Sequence, residues 1–102
     1  MKTQIKGTNM ELTEPIKGYV QQKIDMLDKY LGNLTVQIAD IEVGVENNHH
    51  QHGDIFFCEI NMAVPGDLLR VRKVEEDLYK AIDKAKDHMK EMIIKHKDKH
   101  NI

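Results

Sequence analysis

The residues of this sequence whose type and spacing could support chemistry are the lysines of its last third. The stretch from Asp77 to His100 reads DLYKAIDKAKDHMKEMIIKHKDKH, although the whole 102-residue chain has a formal net charge of −2 at pH 7. Residues 70–102 contain ten Lys or Arg against seven Asp or Glu, whereas residues 1–69 contain five Lys against ten Asp or Glu. Such a basic region is typical of a surface that binds phosphates or another acidic partner. A solvated helix face with no partner would carry the same residues, so composition alone leaves both interpretations open.

Two other groups of residues could bind or react. His49, His50 and His52 lie close together in NNHHQHGD, but their spacings match no common zinc motif, and we interpret this segment as a polar turn without a metal. Cys58 lies between Phe56 and Ile60 of the same strand parity, which predicts a buried, unreactive thiol.

Other chemistry finds no support in the sequence. No Ser/His/Asp arrangement, glycine-rich phosphate loop or paired-carboxylate pattern stands out, so we expect no enzymatic activity, no cofactor and no small-molecule substrate. No run of about 18 apolar residues predicts a membrane-spanning helix. The N-terminal residues lack the apolar stretch of a signal peptide, and one cysteine suits a reducing compartment, so the expected location is the cytoplasm.

Apolar periodicity predicts the elements that must position the lysines. The expected order is β-α-β-β-β-α: a strand over 1–6, a helix from Thr13 to the stop signal Gly32–Asn33, strands over 36–46, 55–64 and 68–73, and a helix from about Glu75 to Lys99. The second strand changes parity, which predicts a bulge near Ala39–Asp40. The last helix has an apolar stripe at helical spacing, formed by Leu78, Ile82, Ala85, Met89, Ile93 and His96.

This order predicts one α+β domain over residues 1–102. Three strands linked by short turns form an antiparallel meander, the first strand joins the sheet across the first helix, and both helices bury their stripes on one face. The opposite face stays open to water. On it we expect Lys2, Lys6, Arg70 and Arg72 with an exposed Phe57 among them, a combination that could form a secondary RNA-binding face.

The helical lysines fall beside the apolar stripes. At 100° per residue, Lys86, Lys90 and Lys97 follow one flank of the last stripe together with Tyr79. The other flank carries Lys84, His88, Lys95 and Lys99. Lys23 falls inside the apolar arc of the first helix, where it could either extend its ammonium group from the edge of the core to water or bind a phosphate between the helices.

The C-terminal stretch resembles a known family. Leu69-Arg70, the run Glu76-Asp77-Leu78-Tyr79-Lys80-Ala81-Ile82-Asp83 and Lys95-His96-Lys97 are similar to the pattern of the ribosome hibernation promoting factors, which include ribosome-associated inhibitor A and the sigma modulation proteins. IKGTNMELTEPIKGYVQQKIDMLDKYL resembles the family's first strand and helix, so the resemblance covers nearly the whole chain.

The resemblance implies a fold similar to the double-stranded RNA-binding domain and binding to the small ribosomal subunit in the channel used by messenger and transfer RNA. Such binding would inhibit translation and preserve idle ribosomes. The implied partners are the small subunit and its ribosomal RNA. By position, the residues that match a role in phosphate contact are Lys23, Lys29, Lys90, Lys95, Lys97 and Lys99.

The sequence also departs from the family pattern. His88 and Glu91 stand where family members often carry Lys and Arg, which predicts weaker or proton-dependent binding. The chain ends where long members continue into a second domain, so it resembles a short form. The alternative function is an interaction module that pairs through its sheet edge and regulates another protein.

Overall fold

The computed structural model of the protein describes residues 1–46 and 53–101. The predicted turn with His49, His50 and His52 lies outside these residues, so its interpretation stays a prediction. The described elements in chain order are β1 (Lys2–Thr8), α1 (Glu14–Asp25), α2 (Asp28–Leu31), β2 (Ile38–Val45), β3 (Phe56–Val64), β4 (Asp67–Glu75) and α3 (Leu78–His100).

The four strands form one mixed sheet in the order β1-β2-β3-β4. β1 runs parallel to β2, whereas β2, β3 and β4 are successive antiparallel neighbours. The helices pack on one face, where α3 contacts β2, β3 and β4 and α1 contacts β1. The predicted α+β architecture is confirmed.

The first helix begins as predicted but ends earlier. The Thr13 hydroxyl accepts the Ile16 N–H at 3.4 Å, and Pro15 lies in the first turn. α1 ends at Asp25, and the separate turn α2 carries the apolar stripe onward to Leu31. The expectation of one continuous helix is therefore wrong. Sequence spacing cannot reveal this junction, because the residues on both sides of it keep the three- and four-residue intervals of a single helix.

The last helix starts later than predicted. Glu75 is the final residue of β4, paired with Phe56, and the carboxylate of Asp77 caps α3 by accepting the Tyr79 and Lys80 N–H groups at 2.8 and 3.3 Å. The predicted apolar stripe is confirmed, since all six of its residues are buried.

The predicted bulge in β2 is wrong. Pairing with β3 continues without interruption from Ala39 to Val45, and the inward residues are Ala39, Ile41 and Val43. Val36 is buried in the loop before the strand, which explains its different parity. The small side chain of Ala39 gave too weak an apolar signal to define the register from sequence.

The inward faces of β3 and β4 match the sequence analysis. Cys58, Ile60 and Met62 of β3 and Leu69 and Val71 of β4 are buried under the helices. Burial raises the pKa of the Cys58 thiol to about 12, so this residue is the unreactive thiol that its neighbours predicted. Among the described residues, no helix is long and apolar enough to cross a membrane.

Candidate nucleic-acid interface

Two lysines from different helices meet at Tyr30 of α2. The Nζ atoms of Lys29 and Lys90 lie 5.3 and 5.0 Å from the centre of the Tyr30 ring. Partial burial raises the pKa of the Tyr30 hydroxyl, but the charges of the two ammonium groups outweigh that effect and lower the pKa below its ordinary value. We call Lys29, Tyr30 and Lys90 the Tyr30 cluster. Within the described parts of the chain, neither lysine of this cluster has a carboxylate at ion-pair distance.

A third lysine holds the backbone of the same tyrosine. The Nζ atom of Lys97 donates to the Tyr30 carbonyl oxygen at 2.9 Å, which satisfies a backbone acceptor at the end of α2. Gly32 permits this contact: its φ is +56°, and a Cβ atom there would lie 2.9 Å from Lys97 Nζ. One hydrogen bond of the Lys97 ammonium group therefore joins α3 to α2.

Lys23 lies in the groove between α1 and α3, beside a hydrogen-bonded tyrosine. The Tyr19 hydroxyl donates to Asp83 Oδ1 at 2.7 Å, and Lys23 Nζ lies 3.3 Å from the same oxygen. The hydrogen bond to Asp83, with smaller contributions from burial and nearby charge, raises the pKa of Tyr19 to about 12. Tyr79 contacts the Tyr19 ring edge-on at 4.7 Å. Lys23 is thus partly neutralised at this position.

The remaining helical lysines differ in exposure. The Lys86 side chain is only 14% exposed, and its Nζ lies 2.5 Å from Asp87 Oδ1. Lys95 and Lys99 are exposed on the last turns of α3, where they line a surface depression of about 200 Å³ beside the buried His96. Asp67 lies at the same depression, its Oδ2 3.8 Å from His96 Nδ1.

The open face of the sheet is organised differently. Arg72 pairs with Glu46 and lies 3.6 Å from Glu59 Oε1, and Arg70 donates to the Asn61 side chain at 2.7 Å. Lys6 stands directly beside Glu42 in the register of β1 and β2. The cations of this face therefore alternate with acids and amides.

The expectation of an exposed Phe57 is wrong. Its side chain does lie on the open face, but it is only 4% exposed because the Arg72 guanidinium covers the ring at 4.0 Å and Gly44 lets the ring pack against β2. A base could stack on Phe57 only after Arg72 had moved.

The sequence analysis missed two features of this surface. Sequence patterns assigned no role to Tyr30 and gave no connection between Tyr19 and Asp83. Both contacts join residues more than 50 positions apart, so no local pattern could indicate them. For metals, residues 1–46 and 53–101 contain no group of three or more His, Cys, Asp or Glu that could hold an ion.

Comparison with known proteins gives the relationships of this fold. A model of the family described as Sigma 54 modulation protein / S30EA ribosomal protein matches residues 3–101. The chain belongs to this family. The resemblance of the C-terminal stretch is thereby confirmed.

Curated relatives and solved structures extend this result. The chain is 32% identical over 97 residues to a ribosome hibernation promotion factor of Deinococcus radiodurans, covering 95% of this chain and 49% of the relative. It is 31% identical over 101 residues to that of Bacillus subtilis, covering 99% and 51%. The chain therefore spans about half the length of the curated relatives it matches.

Two solved structures share the fold. The Protein Y N-terminal domain of Thermus thermophilus is 29% identical, with a TM-score of 0.78, 94% of this chain and 99% of that chain covered. A ribosomal subunit interface protein of Coxiella burnetii has a TM-score of 0.79 at 14% identity, with 96% and 99% covered, which supports the fold alone.

Proposed function

We propose that residues 1–102 form a ribosome-binding domain that inhibits translation. In this proposal the domain binds the small ribosomal subunit in the channel used by messenger and transfer RNA, and lysines of the helical face contact ribosomal RNA phosphates. Family membership and the names of the relatives support the ribosome as partner.

The observation that carries the phosphate contacts is the Tyr30 cluster. Two cations beside one tyrosine repel each other, and the described residues place no carboxylate against either of them. A phosphate oxygen would supply the missing negative charge. Lys95 and Lys99, exposed four residues apart on α3, extend the cationic surface along the same helix.

The remaining predicted residues have smaller roles in this proposal. Lys23 shares its charge with Asp83, Lys86 is largely covered, and Lys97 is partly engaged with Tyr30. On the open face, Lys2, Lys6 and Arg70 stay candidates for a secondary contact. Arg72 could join them only by leaving Glu46 and Phe57.

The test is cosedimentation of the protein with purified small subunits at two salt concentrations. If Lys29, Lys90, Lys95 and Lys99 each neutralise one phosphate, the slope of log affinity against log salt is about −3 to −4. Affinity then falls on the order of 100-fold between about 50 and 200 mM salt. A cell-free translation system should lose protein synthesis at a stoichiometric excess of the protein.

The rival function, pairing with another protein through a sheet edge, predicts an affinity that changes little with salt. β4 is an edge strand with exposed Leu68 and Val74, but Arg70, Arg72 and Lys73 place charges along it, which discourages pairing with another strand. Binding to small subunits that does not change with salt, or unimpaired translation at every excess tested, would contradict the proposal.

A further inference from the structure

The Tyr30 cluster has the geometry of a small binding site as well as a high local charge. Its two ammonium groups belong to α2 and α3, residues 61 positions apart, yet both lie within 5.3 Å of one ring centre. They are therefore at most about 10 Å from each other, close enough that a modest movement of the flexible lysine side chains would let one tetrahedral anion hydrogen-bond to both.

The phenol adds a third donor near the two charges. Lys29 and Lys90 lower the pKa of the Tyr30 hydroxyl, and a more acidic hydroxyl is a stronger hydrogen-bond donor. A hydroxyl group both donates and accepts, so it can keep its contacts with the lysines and still direct its proton at an incoming oxygen.

The backbone beneath the cluster is held in place. Lys97 fixes the carbonyl of Tyr30 from α3, and the positive φ of Gly32 turns the chain away immediately after α2. Donors whose position is fixed before binding lose less conformational entropy when a ligand arrives.

We propose that Lys29, Tyr30 and Lys90 form a site for one phosphate group, in which the lysines supply charge and the Tyr30 hydroxyl donates a hydrogen bond to a phosphate oxygen. Under the proposed function, on which this biological assignment rests, the phosphate belongs to the ribosomal RNA backbone. Tyr30 then determines how tightly the phosphate is held, because it selects for an oxygen acceptor at a fixed point.

The first experiment uses inorganic phosphate and the isolated protein. Titration followed by nuclear magnetic resonance should give saturable shifts at the side chains of Lys29, Tyr30 and Lys90, with sodium chloride at equal ionic strength as the control. The Tyr30→Phe variant keeps the ring and both charges but removes the hydroxyl, and it should bind phosphate about 3- to 10-fold more weakly. Lys17→Gln/Lys80→Gln, which removes two exposed lysines outside the proposed contacts, should bind phosphate as the original protein does.

Three results of this titration would overturn the proposal. Shifts that do not saturate, shifts that chloride reproduces, or equal phosphate affinity in Tyr30→Phe would each show an adventitious ion only. Thermal melting of Tyr30→Phe establishes that the variant is folded, and a Lys90→Gln variant provides a second measurement that does not depend on the tyrosine.

The second experiment follows the phenol directly. The ultraviolet difference between the original protein and Tyr30→Phe isolates the ionisation of Tyr30 from that of the other two tyrosines. A bound phosphate places negative charge beside the hydroxyl, so saturating phosphate should raise the midpoint of this titration. A midpoint that phosphate leaves unchanged would contradict a contact with the hydroxyl.

These measurements separate the site from the proposed function. Saturable phosphate binding together with a failure to cosediment with small subunits would leave the site standing and remove the ribosomal assignment. In the converse case, ribosome binding depends on salt, Tyr30→Phe does not weaken it, and phosphate causes no shifts at Tyr30. This result would leave the proposed function standing and remove the phosphate site.

Discussion

The two faces of the sheet both carry cations, but they neutralise them in different ways. On the open face, Arg72 has Glu46 and Glu59 as partners and also covers Phe57. On the helical face, Lys29 and Lys90 share a tyrosine and, among the described residues, have no carboxylate at ion-pair distance. The sequence predicts basic residues on both faces and does not reveal this difference.

The difference shows that the partners of a cation decide its availability for a ligand. An arginine that already holds two carboxylates must lose them before it can hold a phosphate, and this exchange of partners offsets the gain. A lysine pair held beside a hydroxyl has no such contacts to lose. The helical face is therefore the better candidate for a polyanion.

The largest expected effect tests whether the two faces differ in packing as they do in charge. Ile60 is 1% exposed beneath the helices, so Ile60→Ala should lower the free energy of unfolding by about 2 to 5 kcal/mol. Its neighbour Glu59 lies on the open face, and Glu59→Gln should change stability by less than about 1 kcal/mol. Urea unfolding of both variants provides the comparison. Similar losses would mean that the open face is covered in solution.

The second prediction tests the charge difference itself. Lys29→Gln/Lys90→Gln should reduce the slope of log ribosome affinity against log salt by roughly two units. The matched variant Lys2→Gln/Lys6→Gln removes the same charge from the open face and should reduce that slope by less, because these lysines are candidates for a secondary contact only. The measurement is cosedimentation at several salt concentrations. Equal slopes for the two variants would mean that net charge matters and that its position does not.

Much of the fold was predictable because its signals are local and periodic. The stripe from Leu78 to His96, the cap at Thr13 and the alternation from Cys58 to Val64 each repeat within one element, where burial depends on spacing. The mistakes lie where burial depends on something outside the element. Val36 is covered by the fold although it precedes its strand, and Phe57 is covered by an arginine from the next strand.

The candidate site was predictable only as a collection of lysines. Helical periodicity places Lys90 and Lys97 on one flank of α3, which the structure bears out by bringing both to Tyr30. It cannot show that Lys97 binds a backbone carbonyl 67 positions away, or that Lys23 faces Asp83. These pairings depend on how α1 and α2 lie against α3, and this arrangement is a property of the whole core.

The third prediction separates a lysine that supports the fold from one that faces solvent. Lys97→Met removes the donor to the Tyr30 carbonyl and should lower the free energy of unfolding by about 1 kcal/mol. Lys95→Met changes an exposed residue two positions earlier and should leave stability within about 0.5 kcal/mol. In ribosome binding, Lys95→Met should reduce the salt slope by about one unit. Thermal melting and salt titration of both variants provide the test. A lower melting temperature for Lys95→Met than for Lys97→Met, with the larger loss of salt slope in Lys97→Met, would mean that the assignment is wrong.

The smallest expected effect concerns a helical cation that, like those of the open face, already has a carboxylate partner. Lys84 Nζ lies 2.9 Å from Glu75 Oε1, and Lys80 Nζ lies 3.7 Å from the same oxygen. The hydrogen bond from Lys84 lowers the pKa of Glu75 below its ordinary value, with burial acting in the opposite direction and the charges of both lysines adding to the decrease.

A lowered folded-state pKa fixes the sign of the pH dependence. The stability that Glu75 contributes is fully present above its unfolded pKa of about 4.5 and is lost as pH falls through the lower folded value. The difference in unfolding free energy between the original protein and Glu75→Gln should therefore be constant near neutrality and shrink toward zero in acid. Urea unfolding between about pH 7 and pH 3 measures it, with Glu76→Gln as the control for an exposed neighbouring carboxylate. A difference that persists at the acid end would mean that Glu75 stabilises the start of α3 through packing, and that Lys84 is as free to bind a phosphate as the lysines of the Tyr30 cluster.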